Sequence, residues 1–364
     1  MTFTTNQKTL SSALQQLQRV VASKTNMPIL QDIVFNSNNG ELVLTASDLE
    51  HEASISVVAD VAEQGVVCID ARRITELAKR LQGEITFSVA GGKVTLKTES
   101  GKYSLACESA SDFPKGGVTG DVTEFDLPTD ILLDGISRSL FATANDELRP
   151  VMNGICFDIS QESIVFAASD GHKLVRYTKP MQTGIEQRVL VGAKSASLIR
   201  NLFAKSANVH IAVGTNSAHF TADGVQLWFR LIEGRYPNYN GVIPQSAEHE
   251  AVVSRLGLMQ SLDRVSLMAN SSSNLIRLQF SHGNLNVCAE DYDFSTEATE
   301  SMPCECDFDL EIGFKGNTLQ DMLSNIYTEK VRVKLTDASR AGVFEPLEQE
   351  SGEFTGLIMP MLLN

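Results

Sequence analysis

The chain repeats itself three times, and no other feature restricts its fold as strongly. The segments "ASDLE" (46–50), "ASDGH" (168–172) and "AEDYD" (289–293) each follow an alternating apolar stretch, and their aspartates Asp48, Asp170 and Asp291 lie 122 and 121 residues apart. A second marker keeps that period: "CIDARRITELAKRL" from Cys68, "LVGAKSASLIRNLF" from Leu190 and "EIGFKGNTLQDML" from Glu311 each read as a strand running into a helix, with Ile69, Val191 and Ile312 in step. A third is the proline of "DFP", "RYP" and "IMP": Pro114, Pro237 and Pro360, spaced 123 and 123. Three copies of one domain are therefore expected, at 1–120, 121–246 and 247–364, separated by the connectors "KGGVTGDVTEFD" (115–126) and "IPQSAEHE" (243–250).

Each copy halves again. In the first, Leu10, Ala13, Leu14, Leu17, Val20 and Val21 form one stripe of an amphipathic helix, and Ile74, Leu77, Ala78 and Leu81 form a second. After the second helix, Ile85, Phe87 and Val89, then Val94 and Leu96, then Tyr103, Leu105 and Cys107 alternate across turns at Gly91-Gly92 and near Gly101, which predicts a three-stranded antiparallel meander. The middle copy repeats it with Val209, Ile211 and Val213, then Phe220, then Val225, Leu227 and Phe229. Paired helices packed on antiparallel sheets give an α+β class, in two layers per copy.

At 364 residues, with 43% hydrophobic and 21% charged residues, the chain has the balance of a globular protein with more than one core. Its N-terminus lacks the basic and apolar regions of a secretory signal, and no stretch approaches 18 apolar residues, so a soluble cytoplasmic protein with no membrane partner is expected. The six cysteines have no framework spacing and read as reduced thiols. Only "PCEC" invites a metal, and Cys304 and Cys306 lack a second ligand pair at zinc spacing, so no metal or cofactor is expected.

The formal charge of -15 hides a segregation. Residues 6–26 carry +3, 70–83 carry +2, 193–208 carry +3, 254–270 carry +1, 315–330 are neutral and 130–149 carry -2; the six helical segments total +7, leaving -22 for strands and loops. If the copies curve with helices inside, the lining is positive and the exterior negative, which suits a phosphate backbone within. Solvated helix faces would give the same count. No zinc-finger spacing, basic zipper or helix-turn-helix reads bases, so any duplex contact should be blind to sequence.

The stretch "FAASDGHKL" (166–174) poses a chemical question, because Asp170 and His172 could form an acid/base pair. The aspartate recurs in every copy and so belongs to the repeated strand and turn, where its carboxylate can cap turn amides. "Gly-His-Lys-Leu" occurs only in the second copy, and no P-loop, HExxH or nucleophile elbow accompanies it. No enzyme is expected.

Taken in order, the triplication, "ASDGHKL", "EGRYPNYNGVIP" and the terminal "LIMPML" resemble the bacterial DNA polymerase III beta subunits, the sliding clamps, over essentially the whole chain from "FTTNQKTLSSALQQLQRVVASKTNMPIL" onward. The resemblance implies three clamp domains per chain and a head-to-tail homodimer, closing a ring around duplex DNA with helices lining the hole. It also implies that DNA polymerase, clamp-loader subunits and repair proteins bind as short peptides in an apolar cleft between the second and third domains. Carried over by position, that cleft comprises Arg149, Met152, Ser169, Gly171, His172, Leu174, Pro237, Val242, Leu357, Met359, Pro360 and Met361. Leucine and methionine supply adaptable walls, the prolines stiffen the rim, and His172 and Arg149 offer polar anchors. The plainer alternative for "GLIMPML" is an edge strand.

The resemblance further implies DNA-facing cations at Lys24, Arg72, Lys79, Arg80, Lys194 and Arg200. It places dimer contacts on the strand of Tyr103 and Leu105 and at the helix end of Leu267 and Met268, although both pairs read equally as core. The chain departs from the family pattern at Leu362, where arginine is common, at the additional Asn364, at Lys173 and Ser169, and at Ala193, where a second basic residue often precedes Lys194. Two rival readings are an open repeat scaffold that binds only proteins and a hydrolase using Asp170 and His172.

Overall fold

The same order of elements appears three times. The first copy runs β1 (Thr2–Asn6), α1 (Gln7–Leu17), β2 (Asp32–Asn36), β3 (Leu42–Ser47), β4 (His51–Val57), β5 (Ala59–Glu63), β6 (Val66–Asp70), α2 (Ala71–Ala78), β7 (Glu84–Ala90), β8 (Lys93–Lys97) and β9 (Lys102–Ala106). The second runs β10 (Thr123–Pro128), α3 (Thr129–Ser139), β11 (Gly154–Ser160), β12 (Ser163–Ser169), β13 (Lys173–Pro180), β14 (Gln187–Gly192), α4 (Ala193–Leu202), β15 (Asn208–Val213), β16 (Ser217–Ala222) and β17 (Val225–Arg230). The third runs β18 (His249–Ser254), α5 (Arg255–Val265), β19 (Leu275–Ser281), β20 (Asn284–Asp291), β21 (Thr296–Glu305), β22 (Leu310–Lys315), α6 (Gly316–Ser324), β23 (Lys330–Leu335), β24 (Gly342–Pro346) and β25 (Glu353–Ile358). The first copy's additional strand arises from a break at exposed Val58: β4 and β5 stand where the third copy has the single long β21, and β5 pairs with β1 as the end of β21 pairs with β18.

The computed structural model describes residues 1–244, 246–349 and 352–363; Gln245 of the second connector and Asn364 lie outside the described residues. They fall into two compact units, one of Met1–Leu133 with Lys194–Leu231, the other of Asp134–Ala193 with the chain from Ile232 onward. The first unit holds a five-stranded sheet, β5-β1-β7-β8-β9, and an eight-stranded sheet, β10-β15-β16-β17-β4-β3-β2-β6. The second holds a twelve-stranded sheet, β14-β11-β12-β13-β25-β24-β23-β18-β21-β20-β19-β22. Successive copies are joined the same way in both: the strand after the Asp48 turn, β4, pairs antiparallel with β17, and the strand after the Asp170 turn, β13, pairs antiparallel with β25.

The apolar stripes bury as their spacing requires. On α1, Leu10, Ala13, Leu14 and Leu17 are buried, on α2 Ala71, Ile74 and Ala78. Phe3 and Phe87 of the five-stranded sheet stack with ring centroids 4.6 Å apart beside Phe35 of the eight-stranded sheet; each fully buried ring contributes about 1.5–3 kcal/mol. These two helices start at side-chain caps, with Asn6 accepting from the Lys8 amide at 2.9 Å and Asp70 from the Arg73 amide at 2.7 Å.

Three expectations need correction. The helices are shorter than the basic segments: α1 ends at Leu17, leaving Lys24 beyond it, and α2 ends at Ala78, leaving Lys79 and Arg80 in the following turn. After Leu17 the chain tightens, with the Val20 amide donating to the Leu17 carbonyl at 2.9 Å, and at Met27 it is extended before Pro28. The proline marker is a coincidence of spacing: Pro114 and Pro237 follow the last strand of their copies by 8 and 7 residues, Pro360 by 2. Longer connections in the third copy, six residues between β23 and β24 and six between β24 and β25, shift its register. Finally, β25 is no edge strand, since it lies between β13 and β24.

Candidate functional site

The repeated aspartate does the same thing in each copy: it closes a turn. Asp170 Oδ1 accepts from the amides of His172 and Lys173, both at 2.8 Å, and Oδ2 from Lys173 Nζ at 2.8 Å. Asp48 Oδ1 accepts from Glu50 and His51 amides at 3.0 and 2.7 Å, and Asp291 Oδ1 from Asp293 and Phe294 amides at 2.9 and 3.3 Å. Burial alone would raise Asp170, but the Lys173 ammonium and the two amides outweigh it and hold the carboxyl below the ordinary range. Its oxygens are therefore committed to the turn and not to the His172 imidazole. Gly171 sits at φ +92°, a conformation costly to other residues, and a Cβ there would lie 2.9 Å from Arg149 Nη1.

Beside this turn lies a cavity of about 220 Å³, lined by Met152, Ser169, Gly171, His172, Lys173, Leu174, Tyr236, Pro237, Asn238, Tyr239, Val242, Leu357 and Met359. The ladder builds its floor, because Leu174 and Leu357 are directly opposed between β13 and β25. Both belong to a buried cluster with Cys156, Leu190, Tyr236, Tyr239 and Val343, so the floor is part of the core. Tyr239 is fixed by its hydroxyl donating to Asp158 Oδ2 at 2.7 Å, and burial together with that carboxylate pushes its phenol above the ordinary range. The rim is open, with Val242 58% exposed and Met359 anchored by its amide donating to the His172 carbonyl at 2.8 Å. A site below about 300 Å³ is small for a whole organic ligand and suits side chains of an extended segment. A larger hollow of about 600 Å³ has a mixed wall, with Arg138, Glu329, Lys330, Glu348 and Gln349 beside Tyr327, Pro346, Leu347 and Phe354.

Nine of the twelve cleft residues read from the sequence line the cavity; Arg149, Pro360 and Met361 do not. Arg149 lies against the turn itself, its Nε donating to Asp146 Oδ2 at 2.8 Å and its Nη2 to the Asp170 carbonyl at 3.4 Å, and Met361 bridges to Gly313. Lys173, Tyr236, Asn238 and Tyr239 also line it and were not among the residues read from the sequence. Family models for the N-terminal, central and C-terminal domains of the DNA polymerase III beta subunit match residues 1–116, 126–238 and 240–362. The chain belongs to the DNA polymerase III beta subunit family. It is 28% identical over 370 residues to the beta sliding clamp of Pseudomonas aeruginosa and 26% identical over 373 residues to that of Escherichia coli, each match covering 100% of both chains. Among solved structures, the P. aeruginosa sliding clamp bound to griselimycin matches with TM-score 0.94 at 28% identity, covering 100% of both chains. The beta subunit from Thermotoga maritima matches in fold, with TM-score 0.93 at 21% identity and 100% coverage of both chains.

In this beta-subunit chain the six basic positions are all exposed, but three have carboxylate partners. Lys79 and Arg80 both close on Glu76, at 2.8 and 2.7 Å, and Lys194 closes on Asp48 at 2.5 Å. Lys24, Arg72 and Arg200 have no ion pair among the described residues. Asp48 also accepts from His51 Nδ1 at 3.1 Å, whose Nε2 lies 3.0 Å from Ser195 Oγ. That Asp-His-Ser line has no opening for a substrate, since Ser195 is 2% exposed; it bonds the first copy's turn to α4. Tyr103 and Leu105 lie on β9, at the edge of the five-stranded sheet, and Leu267 and Met268 form the short 3-10 turn after α5. Both pairs are surface rather than core: Tyr103, Leu267 and Met268 are exposed and Leu105 half-buried.

No helix among the described residues is long and apolar enough to cross a membrane, and no group of three or more His, Cys, Asp and Glu there could hold a metal. Cys304 and Cys306 are tied into the third copy, the Cys306 thiol donating to the Ser281 carbonyl at 3.1 Å.

Proposed function

We propose that the chain is a DNA sliding clamp: a non-enzymatic cytoplasmic processivity factor that encircles duplex DNA as a head-to-tail homodimer and tethers polymerase, clamp loader and repair proteins. The observation that carries this is the way copies join. The strand after each Asp turn pairs with the last strand of the next copy, as in β4 with β17 and β13 with β25. After the Asp291 turn, β21 is paired on its outer side only at Cys304 and Glu305, so Thr296–Pro303 has a free edge among the described residues, and β9 is a free edge in the first copy. The missing third join is β21 of one chain with β9 of another. Made twice, it closes six copies into a ring, whereas an open scaffold would leave two aggregation-prone edges bare.

We take the domains as 1–120, 121–246 and 247–364, with Lys24, Arg72, Lys79, Arg80, Lys194 and Arg200 facing the duplex. Contacts to phosphates alone leave low barriers between neighbouring positions, which permits sliding; base-specific bonds would stop it. The cavity beside the Asp170 turn, with Arg149, Pro360 and Met361 at its approach, takes the partners' peptides. Light scattering combined with retention on DNA tests the reading: a dimer that stays on circles after loading and runs off linear ends supports it, and a monomer indifferent to DNA topology overturns it.

A further inference from the structure

The two joins between copies differ in what fills the space between connector and sheet. At the first, the connector lies directly on the strands. The Gly116 amide donates to Glu52 Oε2 at 2.8 Å, and a Cβ on Gly116 would come within 2.5 Å of the Trp228 ring, which opposes Glu52 across β17 and β4. At the second, the connector stands off, and a hollow of about 480 Å³ remains between it and the strands β13, β25, β24 and β23. The 3-10 turn Tyr239–Val242 separates this hollow from the cavity beside the Asp170 turn: Val242 lines that cavity and Ile243 this one. Its volume falls within the range of small-molecule sites.

The cations of the wall have partners, with one exception. Lys334 Nζ pairs with Glu345 at 2.8 Å, Glu250 is taken by Arg332 at 2.9 Å, and His249 stacks on Phe308 with ring centroids 4.5 Å apart. Arg176 has no ion pair among the described residues. Its Nη1 donates to Asn240 Oδ1 at 3.2 Å, its Nη2 reaches Thr355 Oγ1 at 3.5 Å, the limit of a hydrogen bond, and its buried Nε has no acceptor. Nε and Nη2 form the edge of a guanidinium that grips a carboxylate with two parallel bonds, and a covered donor left unmet is costly. The cation is peculiar to this join: where Arg176 opposes Thr355, the first join has Ser54 opposite Gln226. Glu248 on the connector has no ion pair among the described residues, which disfavours a doubly charged phosphate, and Ile243, Pro244, Ala341 and Val343 supply apolar wall for a short hydrocarbon chain.

We propose that this hollow is a binding site for a small aliphatic monocarboxylate, gripped side-on by Arg176 Nε and Nη2 in place of the Thr355 contact, with its chain against Ile243 and Val343. The site is separate from the cavity assigned to partner peptides. It requires neither DNA nor a second chain.

Titration of the full chain with sodium valerate tests this, followed by calorimetry and by the Arg176 Nε–Hε magnetic resonance signal, with thermal melting to check that variants fold. Valerate should bind one saturable site and shift that signal, and valeramide should do neither. Each methylene added from acetate to valerate should tighten binding about fourfold, as burial of hydrocarbon requires. Arg176→Gln should abolish saturable binding, and Arg176→Lys, which keeps the charge without the fork, should weaken it about tenfold. No saturable shift at Arg176, or an unchanged affinity in Arg176→Gln, overturns the proposal. Acetate or inorganic phosphate binding as tightly as valerate overturns it too, because the response would then belong to a bare surface cation.

Discussion

Replacing Asp170 separates a structural turn from a catalytic dyad. The carboxylate accepts two amides and an ammonium, each at 2.8 Å, with the Asp170 and Lys173 side chains only 23% and 12% exposed. Hydrogen bonds to a charged group are worth about 1.5–3 kcal/mol each. The freed amides of a surface turn recover water, so Asp170→Ala should cost the turn about 2 kcal/mol, roughly a thirtyfold change in its opening equilibrium. Asp170→Asn keeps an oxygen for the amides and loses the charge pair, for about 1 kcal/mol. Hydrogen exchange of the His172 and Lys173 amides reads this locally, which matters because a chain of this size need not unfold in one step. Because the folded carboxyl is held below its ordinary value of 3.8, the contribution is complete above that pH and is lost as pH falls through the lower folded value. Protection should be flat from neutral pH to about 4 and then fall. Unchanged exchange in Asp170→Ala would refute the turn assignment.

Other outcomes follow from the same contacts. Val242→Asp, on the open rim, should weaken binding of a partner peptide about tenfold or more, measured by fluorescence anisotropy, with no change in melting temperature. Gly356→Ala puts a Cβ 2.2 Å from the buried Met322 sulfur and should destabilise the second unit by about 1–3 kcal/mol, seen as a lowered melting temperature. Arg200→Ala should reduce the salt slope of DNA binding by about 0.9, as loss of one phosphate contact requires, while Lys194→Ala should change it less because Asp48 already neutralises that ammonium.

Much of the fold could be read from the sequence because it is written three times. The Asp48, Asp170 and Asp291 turns were legible since one carboxylate capping two amides is a local device, and the α1 and α2 stripes since periodicity reports burial directly. Helix ends were not, because the apolar stripe runs on to Val20 and Val21 while the backbone after Leu17 already passes into tighter turns, so periodicity overruns the helix. Composition cannot tell an exposed apolar pair from a buried one, so Tyr103 and Leu267 read equally as core or surface, and the structure exposes both. Nine residues that line the cavity were reached only through the resemblance, but ladder register decides that Leu174 faces Leu357, and side-chain partners decide that Arg149 is held between Asp146 and the Asp170 carbonyl.

The closing of two chains through β9 and β21 is most directly tested by cross-linking. Cysteines placed at Ser104 on the free edge of β9 and at Thr299 on that of β21, both exposed, would be joined with a short bismaleimide and resolved by denaturing electrophoresis. A ring predicts that the product stops at a covalent dimer, and that this dimer, once loaded, cannot leave circular DNA even in high salt. A ladder of trimers and longer chains, or no cross-link between these two edges, would contradict it.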